Sequence, residues 1–427
     1  MPACQLNLLN DQFDNGDIVN ELIGFSHNGN QTLVEERHGI PFLWNEFWTA
    51  RQRQSHKIHE ISYRACFKAQ LPEFFISRLT SPGDTVYDPF MGRGTTPIQA
   101  ALMGRKAIGV DINPLSVALT EPRLLQQRLS DIEERLKNID WSYSGNVDDE
   151  LLVFFHRETL KQIYALRSWF LDRKESNQLD PTDLWIRMVA INRLTGHSPG
   201  FFSVYTMPPN QAVTVDTQKK INMRRAQIPQ KKDVPSLILK KSRSLLKDGT
   251  ITESPGYTLM VASANSTPNI DATSVDLVVT SPPFLDVVQY ADDNWLRCWF
   301  LNIDPTTVPI SIHKRPEEWI KFARGVFKEL GRVIRPDGHI AFEVGEVRNG
   351  SVELEDLVLS AIKGLPLTPL CVVVNSQIFT KTSNCWGVKN NKRGTNTNRI
   401  VLMRRHTRTH RRAALTAASA TSRSVLL

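Results

Sequence analysis

Two short stretches carry residue types that can do chemistry together. The first is Thr280-Ser281-Pro282-Pro283-Phe284, which follows the apolar run Val275-Asp276-Leu277-Val278-Val279. Three valines in that run read as a buried strand, and neither proline has an N–H to continue a ladder, so the strand stops in a stiff loop. The Ser281 hydroxyl, the carbonyls of Ser281 and Pro282 and the Phe284 ring are then presented beyond the carboxyl end of a strand, where open α/β sheets place their ligands. Acceptor oxygens beside an aromatic face suit a planar base with an exocyclic amine: the amine donates to the oxygens while the ring stacks on Phe284. Taken alone, the motif reads more readily as a Pro-Pro turn with a core phenylalanine.

The second stretch runs from Thr85-Val86-Tyr87-Asp88-Pro89-Phe90-Met91-Gly92-Arg93-Gly94-Thr95-Thr96, through a short helix around Ala100, Ala101 and Leu102, to Gly104-Arg105-Lys106-Ala107-Ile108-Gly109-Val110-Asp111. It reads as strand, glycine turn, helix, then a second strand ending in a carboxylate. Gly92 and Gly94 let the backbone approach a ligand, and the helix opening near Thr95 offers unpaired N–H groups. Asp111 can accept from two ribose hydroxyls. No third glycine stands where GxGxxG requires one, so a nucleoside without a pyrophosphate suits the turn better than a dinucleotide. A nicotinamide-dependent oxidoreductase is disfavoured on the same ground.

Together DPFMGRGTT, GRKAIGVDINP and TSPPF resemble the amino-group DNA methyltransferases that use S-adenosylmethionine, specifically those methylating the exocyclic nitrogen of cytosine. The resemblance extends from near Pro41 to near Arg405, including HKIHEISYRACFKAQLPEFFISRLTSPGDTVYDPF before the glycine loop and the later segment Lys381 to Arg399. It implies that Asp88, Phe90, Gly92 and Gly94 surround the methionine part of the cofactor, that Asp111 holds its ribose and that Phe67 packs on it. Relatives often place an acid near the start of the next loop for the adenine amine; this chain offers Ser263 or Asn265. The target base leaves the duplex and stacks on Phe284. Transfer is direct, since no cysteine sits in a Pro-Cys motif for covalent attack: Ser281 and the Pro282 carbonyl accept from the amine and aim its lone pair at the methyl. Such enzymes commonly act beside a cognate restriction endonuclease. The alternatives are adenine amino methylation, whose members usually carry an acid in place of Ser281, and a non-catalytic DNA-binding protein that keeps a degenerate cofactor pocket.

The elements that must position these residues follow from pattern. An α/β Rossmann-like fold with a mixed, mostly parallel sheet is expected, in five parts: an N-terminal arm over 1–40, a first catalytic segment over 41–145, a helical and basic target-recognition insertion over 146–254, a second catalytic segment over 255–405 and a disordered basic tail over 406–427. Pro72 opens a helix with Phe74, Phe75, Ile76 and Leu79 on its apolar face. Helical periodicity marks 115–136, 151–171, 182–194 and 316–333, strands are expected at 338–344, 370–378 and 398–403, the last two as the antiparallel hairpin that the resemblance implies at the sheet edge, and Glu343 near the end of its strand faces the same rim as Ser281. The insertion becomes basic after the aromatic turn Gly196-His197-Ser198-Pro199-Gly200-Phe201-Phe202-Ser203-Val204-Tyr205. Lys219, Lys220, Arg224, Arg225, Lys231 and Lys232 can neutralise phosphates of double-stranded DNA, and Asn210, Gln211, Gln218 and Asn222 are types that read base edges; the bland alternative is a solvated basic face.

Composition sets the remaining bounds. The 427 residues are 41% hydrophobic, enough for one large core or two ordinary ones, and the formal charge of +8 with a pI near 9.2 is compatible with a polyanionic partner. No apolar run approaches the roughly 18 residues of a membrane span and the N-terminus lacks a basic, then apolar, leader, so a cytoplasmic location is expected. Cys4, Cys66, Cys298, Cys371 and Cys385 are scattered without a CxxC pair, and no metal is expected. His56 and His59 stand three apart with no further ligand nearby.

Overall fold

The computed structural model describes residues 17–49, 55–63, 66–207, 212–252, 254–283, 290–310, 313, 315–347, 352–376 and 397–406. Phe284, Asn210, Gln211, most of 381–399 and the tail lie outside them. Nine strands form one sheet: β1 (Leu33–Arg37), β2 (Ile40–Asn45), β3 (Thr85–Asp88), β4 (Lys106–Asp111), β5 (Tyr257–Val261), β6 (Val275–Thr280), β7 (Ile334–Val344), β8 (Leu367–Ser376) and β9 (Thr397–Arg405). Their spatial order is β1-β2-β8-β9-β7-β6-β3-β4-β5. β9 runs antiparallel to both neighbours and β1 antiparallel to β2, while the other pairs are parallel. This is the expected mixed, mostly parallel α/β sheet, but the antiparallel pair β8–β9, expected at its edge, lies inside it because β2 pairs with the outer side of β8.

Twelve helices accompany it: α1 (Asp17–Ile23), α2 (Gln70–Leu79), α3 (Thr95–Leu102), α4 (Pro114–Leu124), α5 (Leu129–Asn138), α6 (Arg157–Glu175), α7 (Pro181–Arg193), α8 (Val215–Arg225), α9 (Val234–Leu245), α10 (Tyr290–Leu301), α11 (Pro316–Val333) and α12 (Leu354–Ile362) among the described residues. The alternation of a parallel strand sends successive side chains to opposite faces, and both faces are covered. Tyr87, Val278, Ile340, Phe342, Val372 and Val401 pack under α11 and α12. Val86, Leu277, Val279, Ala341, Val373 and Ile400 pack under α1, α2 and α3. A separate apolar core built on Phe154, Leu166, Trp185, Val189 and Phe300 holds the helical insertion and also takes in Ile61 and Tyr63 from the segment before the glycine loop.

The N-terminal segment differs from the irregular arm expected of residues 1–40. From residue 17 it forms α1 and then the edge hairpin β1–β2 on the main sheet. Its pattern is hard to read because β1 is an edge strand with only Val34 and Arg37 partly covered, and its turn is a His38-Gly39 pair with both φ angles positive. The hairpin closes through β2, whose Phe42 and Leu43 are fully buried.

At the middle of the sheet the chain reverses its direction of growth. β3 is followed on one side by β4 and β5 and flanked on the other by β6 and β7. Open α/β sheets bind ligands outside the carboxyl ends of strands at such a switch point. The glycine loop after β3, Asp111 at the end of β4 and Ser281 after β6 all stand there.

Candidate active site

The glycine loop is shaped by hydrogen bonds before any ligand enters. Asp88, buried at the end of β3, accepts from the Thr280 hydroxyl at 2.5 Å and from the Phe90 N–H at 3.0 Å, which ties the loop to the adjoining strand β6. Burial pushes its carboxyl up to about 7 against those stabilising bonds. Met91 N–H donates to Val110 O at 3.0 Å, and Gly92 N–H donates to Asp111 Oδ2 at 2.8 Å. Gly94 has φ of +77°, and a Cβ there would lie 2.4 Å from the Thr120 side chain. This glycine is dictated by helix packing against α4.

Asp111 is the hinge between the loop and the next helix. Its Oδ1 accepts from Asn113 N–H at 2.9 Å, and Asn113 in turn caps α4 by accepting from Leu115 N–H at 3.0 Å. A carboxylate oxygen has room for two donors, so each oxygen keeps acceptor capacity. Burial raises the Asp111 pKa.

On the other side, the Ser281 loop is pinned from two helices and one strand. Thr96 Oγ1 on α3 donates to Val279 O at 3.0 Å, and the Trp319 indole of α11 donates to Pro283 O at 3.0 Å. Glu343, buried near the end of β7, hydrogen-bonds the Ser281 side chain and accepts from the Asn398 amide of β9. Burial pushes this carboxyl up to about 7.

These loops bound one cleft at the carboxyl ends of the strands. Phe67, Phe90, Gly92, Asp111, Ser263, Ser281 and Pro283 line it, so most of the expected site residues share one cavity. Asp88, Gly94 and Pro282 are not among the lining, and all three are buried. Tyr63, Cys66, Asn113, Ile310 and Phe322 also line the cleft and were not legible as site residues. Phe322 sits on the apolar face of α11, where a core role is the natural reading; its ring lies 5.9 Å from Phe90 and 4.9 Å from His313.

Buried arginines hold the segment before the loop as the cleft's near wall. Arg93, in the loop itself, donates to Ile61 O at 2.7 Å and to Phe67 O at 3.2 Å. Arg123 on α4 donates to Ile58 O at 3.2 Å and to Arg93 O, and burial without a carboxylate pushes it down to about 9. His59 is buried against Gln99 Oε1 at 3.0 Å and pushed down to about 3, while His56 Nδ1 accepts from Ile58 N–H. The two histidines serve separate hydrogen bonds, and among the described residues no group of three or more His, Cys, Asp or Glu converges as metal ligands.

The lining as a whole selects a ligand class. Among the described residues it contains one carboxylate, several aromatic rings and hydroxyls, and no lysine or arginine. A phosphate-bearing ligand would find no countercharge in that set. A nucleoside with a hydroxylated sugar and a cationic or neutral tail meets Asp111 and the rings instead.

The basic run is not uniform. Lys219, Lys220, Arg224, Arg225 and Lys231 are exposed, and Lys232 is half-buried with its N–H donating to Thr159 Oγ1 at 2.7 Å. Arg225 lies 3.8 Å over the Tyr205 ring, and Lys219 pairs with Asp216 at 3.4 Å. Two expected base readers turn inward. Gln218 is fully buried and donates to Tyr205 O and Asn222 Oδ1, and Asn222 donates to Val153 O. They clamp α8 to the aromatic turn, because residues four apart share the inward face of a helix.

Parts of the chain are similar to known proteins. Residues 24–121 match the family model described as DNA methylase. The Type II methyltransferase M.MjaII of Methanocaldococcus jannaschii is 34% identical over 126 residues, which is 28% of this chain and 24% of that protein. The Type II methyltransferase M.BsoBI of Geobacillus stearothermophilus is 25% identical over 289 residues, 60% of this chain and 55% of that protein. The chain thus spans about a quarter to about half of the length of these curated relatives. Among solved structures, TrmN from Thermus thermophilus aligns over 83% of this chain and 53% of its own at 12% identity and a TM-score of 0.32, a loose likeness.

Proposed function

We propose that this chain is an amino-group DNA methyltransferase that transfers a methyl group from S-adenosylmethionine to the 4-amino group of cytosine in double-stranded DNA. The observation that carries the reading is one cleft bounded by Asp111 at the end of β4 and by Ser281 after β6. The lining fits the cofactor, with a carboxylate for the ribose hydroxyls, Phe90 and Phe322 for the adenine face and, among the described residues, no cation against the sulfonium. Bound there, the cofactor supplies an electrophilic methyl group.

The chain's own residues do the rest. Ser281 Oγ accepts from one N–H of the amine while its own proton points to Glu343. The Pro282 carbonyl accepts from the second N–H once the base is seated, and Phe284 stacks on the extruded ring. Two acceptors on one amine draw its lone pair out of ring conjugation and aim it into the cleft, so most of the rate comes from orientation. As the methylated nitrogen becomes cationic, the Ser281–Glu343 pair offers its proton a route away from the ring. The basic segment 219–232 supplies phosphate contacts. A role within a restriction–modification pair is consistent with the Type II enzymes it resembles.

Adenine amino methylation is the second reading, and the same family accommodates it. Ser281 favours cytosine, because a neutral hydroxyl stands where adenine-directed relatives usually carry an acid. Mass spectrometry of nucleosides from a host expressing the protein decides between them: 4-methylcytosine is expected, and 6-methyladenine would overturn the base assignment. Ser281→Ala is expected to abolish the product while cofactor binding persists.

A further inference from the structure

One feature of the basic segment is not used by phosphate contacts. Among the described residues the large apolar side chains left exposed are Leu33, Met223, Ile228 and Val261, and two of these four fall inside 219–232. That span holds six cations and no acid. Met223 is 82% exposed. It lies one turn beyond Lys219 and Lys220, on the face of α8 opposite the buried Gln218 and Ile221. Nothing about α8 packing calls for a methionine there.

The helix that carries it is fixed firmly. Ala226 closes α8 in the left-handed region at φ 47°, a strained conformation for a residue with a Cβ. Gln227 Nε2 then donates to Tyr205 O at 2.9 Å and to Asn222 Oδ1 at 2.8 Å. At the root of α8, Ala212 N–H donates to Asp293 O at 3.0 Å and the Trp295 indole to Val213 O at 3.3 Å. Asp293 and Trp295 belong to α10, the helix that follows the Ser281 loop. The exposed face is therefore referenced to the candidate base site.

An apolar tip ringed by cations on a rigid helix matches one surface chemistry well. The major groove of duplex DNA admits an α-helix, has phosphates along both rims and carries the C5-methyl of thymine as its apolar base-edge feature. Gln218 and Asn222 are spent on internal hydrogen bonds, so the exposed face of α8 around Met223 carries cations and this one apolar side chain. We infer that α8 lies in the major groove of the target duplex and that Met223 reads it by apolar contact with a thymine methyl group. The inference rests on the DNA reading above.

The test compares methylation rates of the parent, Met223→Gln and Met223→Leu over a randomised duplex library. The parent prefers thymine at one position; Met223→Gln loses about fourfold of that preference, the worth of one buried methyl-sized group, and Met223→Leu keeps it. Replacing that thymine by deoxyuridine slows the parent by the same factor and leaves Met223→Gln unaffected. The salt slope of binding stays the same in all three, since no phosphate contact changes. An unaltered preference in Met223→Gln, or a parent indifferent to deoxyuridine, overturns the inference while DNA methylation stands. A parent that methylates no duplex overturns the DNA reading, and this inference falls with it.

Discussion

Glu343 hydrogen-bonds Ser281 across the adjacent strands β7 and β6, and its carboxyl is pushed up to about 7 by burial. When the carboxyl is ionised it can only accept, so it takes the Ser281 proton and leaves the hydroxyl oxygen free for the substrate amine. The transfer rate is therefore expected to rise with pH through about 7. Glu343→Gln should lower kcat by on the order of a hundredfold and abolish that rise, with cofactor affinity unchanged. Single-turnover rates at several pH values check it.

Stability should run the other way with pH. Asp88 and Glu343 are both raised by burial to about 7, from ordinary values of 3.8 and 4.5. A group raised in the folded state stabilises fully below its unfolded pKa, and that contribution is lost as pH climbs through the folded value. Tm should accordingly fall between about pH 4 and pH 7, and the fall should flatten in Asp88→Asn and in Glu343→Gln. Differential scanning calorimetry of the three proteins across that range is the measurement.

Asp111→Ala is expected to weaken S-adenosylmethionine at least tenfold, since charge-assisted hydrogen bonds contribute about 1.5–3 kcal/mol each. The loss has two sources, because the carboxylate that would hold the ribose also holds the Gly92 and Asn113 N–H groups. Asp111→Asn keeps an acceptor for one of them and should fall between. Isothermal titration of both variants separates the contributions.

Gly94→Ala should destabilise the protein by roughly 1–3 kcal/mol, the usual range for backbone strain and overpacking. The position has φ of +77° and Thr120 stands 2.4 Å from the would-be Cβ. Thr120→Ala should recover part of the loss, since it makes room and removes a buried hydroxyl oxygen with no hydrogen-bond partner among the described residues. Chemical denaturation of the single and double variants measures the coupling.

Charge reversal at Lys219, Lys220 and Arg224 together should weaken binding to every duplex. It should also flatten the salt dependence by about 0.9 for each phosphate that is no longer neutralised. Arg225 is better left out, because its guanidinium packs on Tyr205. If the slope against log salt does not move, these cations are a solvated face.

The parts of the site that were legible in sequence are those whose geometry is local. A strand cut short by two prolines, a glycine turn and a carboxylate at a strand end each carry their placement within a dozen residues. Glu343 could be assigned to the rim of Ser281 because position along a buried strand fixes which end a residue occupies. Phe322, Tyr63, Arg93 and Arg123 were not legible, because their roles exist only once segments distant in sequence close on one another: Arg93 binds the carbonyls of Ile61 and Phe67. Gln218 misled for a different reason. On a helix with few apolar residues the pattern does not say which polar face turns inward, and here Gln218 and Asn222 do.

The sheet also sets an order in time. β2 pairs in parallel with β8, joining residues 42–45 to residues 372–375, so the N-terminal hairpin waits for nearly the whole chain before its inner edge is covered. β3 likewise waits for β6, Val86 beside Leu277. A polypeptide emerging from the ribosome therefore carries unpaired strand edges through most of its synthesis, and closure across such separations is slow. The helical insertion, whose core lies largely between these strands in the sequence, can collapse first and tether the two halves while the central sheet assembles around it.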